Sequence, residues 1–139
     1  MTIYLIRHAE AEGNLYRIAQ GQYDSNLTDR GWRQVRALER RFANVQIDAV
    51  YSSDLYRTCA TAIYKPQGLP LRRRRDLREI CVGDWEQRTW GDIIRRTPEA
   101  MADFGTRMDR WSIPGAETPR QVLERVRAAV GDIAAKHPG

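Results

Sequence analysis

The stretch Tyr4–Asn14, with the sequence YLIRHAEAEGN, decides the interpretation of this chain. A short apolar run ends abruptly in Arg7 and His8, and polar residues and a glycine follow. The pattern predicts a buried β-strand over Thr2–Ile6 that delivers an arginine and a histidine to its carboxyl end. In open α/β sheets that edge is where ligands bind. The stretch therefore predicts a ligand site directly after the first strand.

The chemistry of this pair narrows the kind of ligand. A histidine at a strand end can act as a nucleophile, a general base or a metal ligand. The planar guanidinium of the neighbouring Arg7 can make two charge-assisted hydrogen bonds to a phosphate or a carboxylate. Together they indicate phosphoryl chemistry on His8, and a histidine that only caps or packs at the strand end is the alternative.

Length and composition are those of an ordinary globular domain. The chain has 139 residues, of which 42% are hydrophobic and 29% are charged, which predicts a single domain over 1–139. We expect no membrane partner, because no apolar run approaches the length of a membrane span. The chain starts without a basic-then-apolar leader, so the expected location is cytoplasmic.

The basic balance of the chain is compatible with a phosphorylated partner. The formal net charge is +5, and a basic surface attracts nucleic acid and small phosphorylated molecules alike. The one dense run, Arg72–Arg75, has no interleaved aromatic residues and matches no nucleic-acid-binding motif. We interpret it as a solvated edge or loop and expect no nucleic-acid partner.

Strand and helix signals alternate along the first half of the chain. The predicted strands are Thr2–Ile6, Ile47–Tyr51 and Leu71–Arg75. The predicted helices are one capped by Thr28, one over Leu55–Tyr64, a short one over Trp90–Arg96 and a long amphipathic one over Pro119–Lys136, with irregular chain over Gly105–Gly115. Such alternation predicts an α/β fold with three α/β/α layers and a mostly parallel central sheet.

Two further residues are expected near the first strand end. Arg57 follows the second predicted strand, and the carboxyl ends of parallel strands open at the same edge of a sheet. Glu79 lies in a later loop. Two arginines, a histidine and a glutamate form a set suited to phosphoryl transfer, with charge neutralisation by the arginines and proton donation by the glutamate. The alternatives are that Arg57 pairs with Asp54 or Glu10 and that Glu79 is a surface carboxylate.

With these residues in view, the chain resembles the histidine phosphatase superfamily, which includes cofactor-dependent phosphoglycerate mutases and many small phosphatases. The resemblance is nearest to the broad-specificity and α-ribazole-phosphate phosphatase branch. The matching residues run in the family's order over almost the whole chain: Leu5–Glu10, Asn14, Gln20-Gly21, Asp24-Ser25, Leu27-Thr28, Gly31, Tyr51–Leu55, Arg57-Thr58, Thr61-Ala62, Leu77–Glu79, Gly83–Glu86, Pro114-Gly115 and Glu117.

The resemblance implies a role for each site residue. It makes His8 the nucleophile that becomes a phosphohistidine. To attack, His8 must be neutral at its reactive nitrogen, with its other ring N–H held by a backbone acceptor. The resemblance makes Glu79 the proton donor. Arg7 and Arg57 are implied to hold the phosphoryl oxygens. The implied substrate contacts are Asn14, which is otherwise only a turn residue, together with Gln20 and Gly21. The resemblance implies no metal and no cofactor, and it implies a phosphorylated small molecule as the substrate.

The chain departs from the family pattern at two places. Ala9 stands where the family usually has glycine, a small change. The family also has a second catalytic histidine on a strand after the long helix, and His137 matches the turn before that strand instead. We therefore expect a phosphoglycerate mutase-like fold whose C-terminal part is missing. A fragment, a truncated gene, or a strand supplied by another chain in a homo-oligomer or strand-swapped dimer would each explain this.

The sequence leaves three functions open. A phosphatase is favoured, because the segment between Glu79 and Trp111 is short and leaves a phosphohistidine open to water. Phosphoglycerate mutase-type phosphoryl transfer is the second. The third is a catalytically dead protein that binds phosphorylated ligands, because the second histidine is absent.

Overall fold

The computed structural model describes residues 1–138 and has the α/β composition that the sequence predicts. Its regular elements are α1 (Glu12–Leu15), α2 (Asp29–Phe42), β1 (Val50–Ser52), α3 (Tyr56–Thr61), β2 (Leu71–Arg73), α4 (Trp90–Arg96), α5 (Pro98–Thr106) and α6 (Pro119–Lys136), with single 3₁₀ turns at Arg75–Leu77, Gly83–Trp85 and Met108–Arg110. The chain divides into two compact units. Residues 2–15 and 24–78 form the N-terminal unit, and residues 16–23 with those from 79 onward form the C-terminal unit. That all of 1–139 is one domain stays a prediction.

A βαβ crossover forms the sheet of the N-terminal unit. Strand β1 pairs in parallel with β2, with Val50 opposite Leu71 and Ser52 opposite Arg73, and α3 lies between them in the chain. A parallel pair requires such a crossover. The α/β class and the parallel pairing are therefore confirmed. Strand β1 starts three residues later and ends one residue later than predicted, and β2 ends two residues earlier.

The first predicted strand is wrong. Thr2–Ile6 forms no strand, and its apolar side chains are exposed, with Leu5 90% exposed and Ile3 50% exposed. A strand exists only where a neighbour takes its backbone N–H and C=O groups, and no segment among residues 1–138 pairs with this one. Its one described aromatic contact is the edge-on packing of Tyr4 against Phe42, at 5.2 Å between ring centroids.

Helix α2 lies close to the segment that follows His8. Thr28 caps it by accepting the Gly31 N–H at 3.0 Å, as predicted. Its buried Val35 packs in a small core with Leu27, Ala9 and Ala11. The histidine-bearing segment is thus part of the core of the N-terminal unit from Ala9 onward.

The C-terminal unit has a separate, aromatic core. Trp85 is almost fully buried and packs against Trp90 and Phe104, and Phe104 in turn packs edge-on to Trp111 at 4.4 Å between ring centroids. Core packing therefore accounts for the tryptophans that follow Glu79.

Helices α4 and α6 have the predicted bounds, whereas α5 was not predicted. Pro98 does not only follow α4; it is the first residue of α5, a position where its fixed φ and missing N–H suit a helix. The chain predicted to be irregular from Gly105 therefore begins inside a helix. Helix α6 starts with a full capping box between Thr118 and Gln121. Across residues 1–138 none of the helices has the length and apolarity that crossing a membrane demands.

Two helical glycines predict opposite effects of alanine. A Cβ on Gly31 would lie 2.1 Å from the Glu10 carbonyl oxygen, whereas a Cβ on Gly131 in α6 meets nothing within 4 Å. We expect Gly31→Ala to lower the free energy of unfolding by about 1–3 kcal/mol through overpacking. Gly131→Ala should raise it by about 0.5–1 kcal/mol, because alanine restricts the unfolded chain. Urea unfolding of both variants beside the wild type measures this, and equal effects would contradict the close approach of Gly31 to Glu10.

Candidate functional site

His8 is held in one orientation by the residue that follows it. Its Nδ1 lies 2.7 Å from the Ala9 carbonyl oxygen. A carbonyl only accepts a hydrogen bond, so Nδ1 must carry the proton and donate it. In the neutral ring, the lone pair is then on Nε2. This matches the expectation that a backbone acceptor holds one ring nitrogen so that the other can attack.

Five consecutive backbone N–H groups after His8 are all satisfied. They belong to residues 9–13, and their acceptors are Thr61 Oγ1, Gln34 Oε1, Asn14 Oδ1, the Asn26 carbonyl oxygen and Ser25 Oγ, at 2.8–3.3 Å. These acceptors come from four separate parts of the N-terminal unit. The backbone next to the histidine is therefore fixed without belonging to a sheet.

Arg57 is buried on α3 and pairs with Asp24. The residue is only 1% exposed, and its Nη1 lies 3.6 Å from Asp24 Oδ1. Asp24 also accepts the backbone N–H groups of Tyr56 and Arg57 at the start of α3. The residue before the helix, Leu55, offers no side-chain cap, so a distant carboxylate both caps α3 and orients its arginine.

The other predicted partners of Arg57 bind elsewhere. Asp54 makes a two-pronged ion pair with Arg78, including 2.7 Å from Nη2 to Oδ2, and this pairing holds the pKa of Asp54 below its ordinary value. Glu10 accepts from the Thr28 hydroxyl at 2.7 Å and pairs with Arg30 at 3.3 Å. Among the described contacts, Asp54 and Glu10 therefore pair with other arginines, and Arg57 pairs with Asp24.

Arg7 and Asn14 are also in the N-terminal unit, and both are exposed. The Asn14 amide oxygen is used in the turn, because it accepts the Ala11 N–H at 3.0 Å. Since an anion accepts hydrogen bonds, a contact from Asn14 to an anion comes from its Nδ2 donor.

Gln20 and Gly21 belong to the C-terminal unit, where the Glu86 carboxylate fixes their segment. Glu86 accepts the backbone N–H groups of Gln22 at 2.9 Å, Tyr23 at 2.6 Å and Val82 at 3.1 Å. Gly21 has φ +46°, and a Cβ there would lie 2.1 Å from Glu86 Oε1. Only glycine fits both the left-handed backbone and this close approach. Gln20 is buried.

Glu79, also in the C-terminal unit, has an exposed side chain on a restrained backbone. Its Oε1 accepts the Ile80 N–H at 3.0 Å. Its carbonyl oxygen accepts from Gln22 Nε2 at 3.3 Å and from Arg125 Nη2 at 3.1 Å. Side chains from a loop and from α6 therefore hold the backbone of the predicted proton donor.

The same arginine makes the shortest described ion pair of this unit. Arg125 contacts both oxygens of Glu117 at 2.7 Å, and Glu117 also accepts the Cys81 N–H at 2.9 Å. The Arg125 guanidinium holds the pKa of Glu117 below its ordinary value, against the raising effect of burial.

The predicted site residues thus fall into two groups. His8, Arg7, Arg57 and Asn14 lie in the N-terminal unit, and Gln20, Gly21 and Glu79 lie in the C-terminal unit. Residues 1–138 contain no group of three or more histidine, cysteine, aspartate or glutamate residues arranged for a metal ion. Sequence reasoning gave no role to Asp24, Thr61, Glu86 or Arg125. No local pattern in the sequence identifies Asp24 as the cap of α3.

Comparisons with known proteins point to one family. The model of the histidine phosphatase superfamily (branch 1) matches residues 3–139. The metal-independent phosphoserine phosphatase of Arabidopsis thaliana is 33% identical over 99% of this chain and 60% of its own length. Phosphoglycerate mutase-like protein 4 of the same plant is 34% identical over 99% of this chain and 62% of its own length. The chain spans less than two thirds of the length of these two relatives.

Solved structures agree in fold. The structure of YhfR from Bacillus stearothermophilus matches 96% of this chain and 67% of its own, with a TM-score of 0.89 and 32% identity. The alpha-ribazole phosphatase from Shigella flexneri matches 94% of this chain and 66% of its own, with a TM-score of 0.84 and 25% identity. The predicted phosphoglycerate mutase-like α/β fold and the predicted branch are confirmed.

Removing the Asp24 carboxylate should loosen α3. We expect Asp24→Ala to lower the free energy of unfolding by about 1–2 kcal/mol, because the helix loses its cap and Arg57 loses its ion-pair partner. Asp109→Ala, which removes an exposed carboxylate paired with Arg107, is the control and should change stability little. Thermal and urea unfolding measure both, and an Asp24 variant as stable as the Asp109 variant would contradict the dual role.

The Glu117–Arg125 pair predicts acid sensitivity. Because the pKa of Glu117 is lowered on folding, its ionised form stabilises the fold above the unfolded-state pKa, and this stability is lost as pH falls through the folded pKa. Glu117→Gln should therefore cost about 1–3 kcal/mol at neutral pH and flatten the acid limb of the stability–pH curve. Glu124→Gln, at an exposed position of α6 next to Arg125 in the chain, is the control. An unchanged acid limb in the Glu117 variant would contradict the prediction.

Proposed function

The chain belongs to the histidine phosphatase superfamily, and from that premise we propose that it is a phosphomonoester hydrolase acting through a phosphohistidine on His8. The observation that supports this most directly is the hydrogen bond from His8 Nδ1 to the Ala9 carbonyl oxygen. It selects the tautomer whose Nε2 lone pair is the nucleophile that the reaction needs.

The proposed reaction has two steps. Nε2 of His8 attacks phosphorus, so that an N–P bond forms while the ester P–O bond breaks. The leaving oxygen takes the electron pair and receives a proton from Glu79. Water then attacks the phosphohistidine, the N–P bond breaks, inorganic phosphate leaves, and Glu79 recovers a proton from the attacking water.

The phosphate charge is proposed to be held by Arg7, Arg57 and Asn14. Arg57 is suited to this role, because its burial and its pairing with Asp24 fix the guanidinium before any ligand arrives. Arg7 is adjacent to His8 in the chain and exposed, so it can adapt to the ligand. Asn14 would contribute its Nδ2 donor. Gln20 and Gly21 are proposed substrate contacts from the segment that Glu86 fixes.

For the substrate we propose a small molecule that carries a phosphate monoester. The net charge of +5 suits an anionic ligand, and the similar proteins include ones named as phosphatases of phosphoserine and alpha-ribazole phosphate. A nucleic-acid partner is not favoured. In the basic run, Arg72 donates to the Tyr51 hydroxyl at 2.8 Å and Arg74 pairs with Asp76.

Two alternatives remain from the sequence. Phosphoglycerate mutase-type transfer is favoured by the likeness to the plant mutase-like protein. A protein that binds phosphorylated ligands without turnover is the other. The chain has two histidines, and His137 is the C-cap residue of α6, with its N–H donated to the Ala134 carbonyl oxygen.

Oligomeric state and cytoplasmic location stay predictions. A strand-swapped dimer would use the exposed apolar residues of Thr2–Ile6, whose backbone groups form no strand within the described chain. Strand addition at such a segment satisfies backbone hydrogen bonds and buries apolar side chains.

The test is phosphate release by this chain from 4-nitrophenyl phosphate and from an alkyl phosphate such as phosphoserine. His8→Ala should abolish release from both substrates, and the control His137→Gln should leave it unchanged. Glu79→Gln should slow the alkyl phosphate by about 100-fold or more. It should slow the aryl phosphate much less, because nitrophenolate leaves without needing a proton.

Each other outcome has a defined meaning. Release that survives in His8→Ala would refute the phosphohistidine. Phosphate exchange between two phosphoglycerate positions, faster than hydrolysis, would identify the mutase-type reaction. Binding of phosphate without release from any ester would identify the protein that only binds.

A further inference from the structure

Thr61 connects the backbone next to His8 with the backbone of Arg57 in the N-terminal unit. Its hydroxyl donates to the Arg57 carbonyl oxygen at 2.7 Å and accepts the Ala9 N–H at 2.9 Å. A hydroxyl has one proton and two lone pairs, so one small group performs both tasks. Thr61 is 4% exposed, and Ala9 is 6% exposed.

We propose that Thr61 is a positioning residue for phosphoryl transfer, whose hydroxyl fixes the backbone bearing His8 to the helix bearing Arg57; this inference rests on the proposed function. Thr61 touches neither the His8 ring nor the Arg57 guanidinium in any described contact. It acts on both through the backbone.

Ala9 connects Thr61 to the imidazole of His8. Its N–H is donated to Thr61, and its carbonyl oxygen accepts from His8 Nδ1. The same peptide segment therefore transmits the position of α3 to the imidazole. Thr61 also donates to the carbonyl oxygen of Arg57, whose guanidinium is proposed to bind phosphate. Loss of the hydroxyl would leave the buried Ala9 N–H without an acceptor and would free the imidazole to move relative to Arg57.

Such a change should affect the chemical step more than the fold. A misplacement of about 1 Å between reacting groups costs on the order of 100-fold in rate. The hydrogen bonds that hold residues 10–13 do not involve Thr61, so the loop stays attached elsewhere. We therefore expect kcat to fall while folding is retained.

The experiment compares Thr61→Val, which keeps shape and removes the hydroxyl, with Thr61→Ser, which keeps the hydroxyl. Thr106→Val is the matched control, because Thr106 also donates to a carbonyl one helical turn earlier but contacts no predicted site residue. Three quantities are measured: hydrogen exchange of the Ala9 amide, kcat and KM for 4-nitrophenyl phosphate, and the affinity for inorganic phosphate from the His8 ring NMR signals. His137→Gln assigns those signals.

In Thr61→Val we expect Ala9 exchange to accelerate at least about 10-fold and kcat to fall by about 10- to 100-fold, with a smaller change in KM. Thr61→Ser should restore both quantities to within about 3-fold of the wild type, and Thr106→Val should alter neither. If Thr61→Val does not fold, Thr61→Cys replaces it, because its thiol is a weak donor and acceptor. Unchanged kcat despite faster exchange, unchanged exchange, or no rescue by serine would each overturn the proposal.

The same measurements test the proposed hydrolysis separately from the proposed role of Thr61. A wild-type chain that releases no phosphate refutes hydrolysis. Phosphate affinity then decides the role of Thr61, since weaker binding in Thr61→Val with rescue by serine supports positioning of the two groups. A wild-type chain that neither hydrolyses an ester nor binds phosphate overturns both proposals.

Discussion

A buried guanidinium needs a negative partner, and in the N-terminal unit this requirement determines much of the surrounding structure. Burying a charge without compensation is far more costly than leaving it in water. Arg57 meets this requirement through Asp24. Asp24 is a loop residue whose carboxylate also accepts the backbone N–H groups at the start of α3. The adjoining chain at residues 26–28 then binds the backbone of Glu10 and Glu12. The ion pair of Arg57 thus joins the loop at Asp24 to α3, and the next residues of that loop bind the histidine segment.

Carboxylates have the corresponding role in the C-terminal unit. Glu86 accepts the backbone N–H groups of Gln22, Tyr23 and Val82. Glu117 accepts the Cys81 N–H and is further neutralised by Arg125. Charge-assisted hydrogen bonds of this kind are shorter and stronger than neutral ones. They fix irregular chain where no helix or sheet does so, and the fixed chain includes Gly21 and the backbone of Glu79.

Cap residues and the spacing of apolar residues predicted the helices whose stability depends on neighbours in the sequence. Helix α6 was placed correctly, because Thr118 caps it and its apolar residues recur at helical spacing. Helix α3 began one residue later than predicted and ended three residues earlier, and its cap comes from Asp24, which no local pattern identifies. The strand over Thr2–Ile6 failed for a different reason. Its apolar sequence has the propensity for a strand, but a strand also needs a neighbour.

The same contrast holds for the candidate site. Motif positions were enough to nominate His8, Arg57 and Glu79, and the tautomer expected for His8 agrees with its bond to Ala9. The residues that hold these groups were not nominated. Thr61, Glu86 and Arg125 bind backbone N–H or C=O groups, and such contacts do not depend on the side chain of the partner residue. Their roles become visible only when three-dimensional contacts are known.

The two units are interleaved in the chain, and this has a consequence for biosynthesis. Residues 16–23 emerge from the ribosome early, yet the side chains that fix them are Glu86, Glu117 and, through Glu79, Arg125. The N-terminal unit is complete in sequence at residue 78, so it can form while that segment is still an unanchored loop. Domains fold as units, amino-terminal first, during synthesis. For the time needed to add about 40 residues, the histidine segment of the nascent chain would be folded. The loop that follows it in sequence would not yet be fixed, because the residues that bind it would not yet be synthesised.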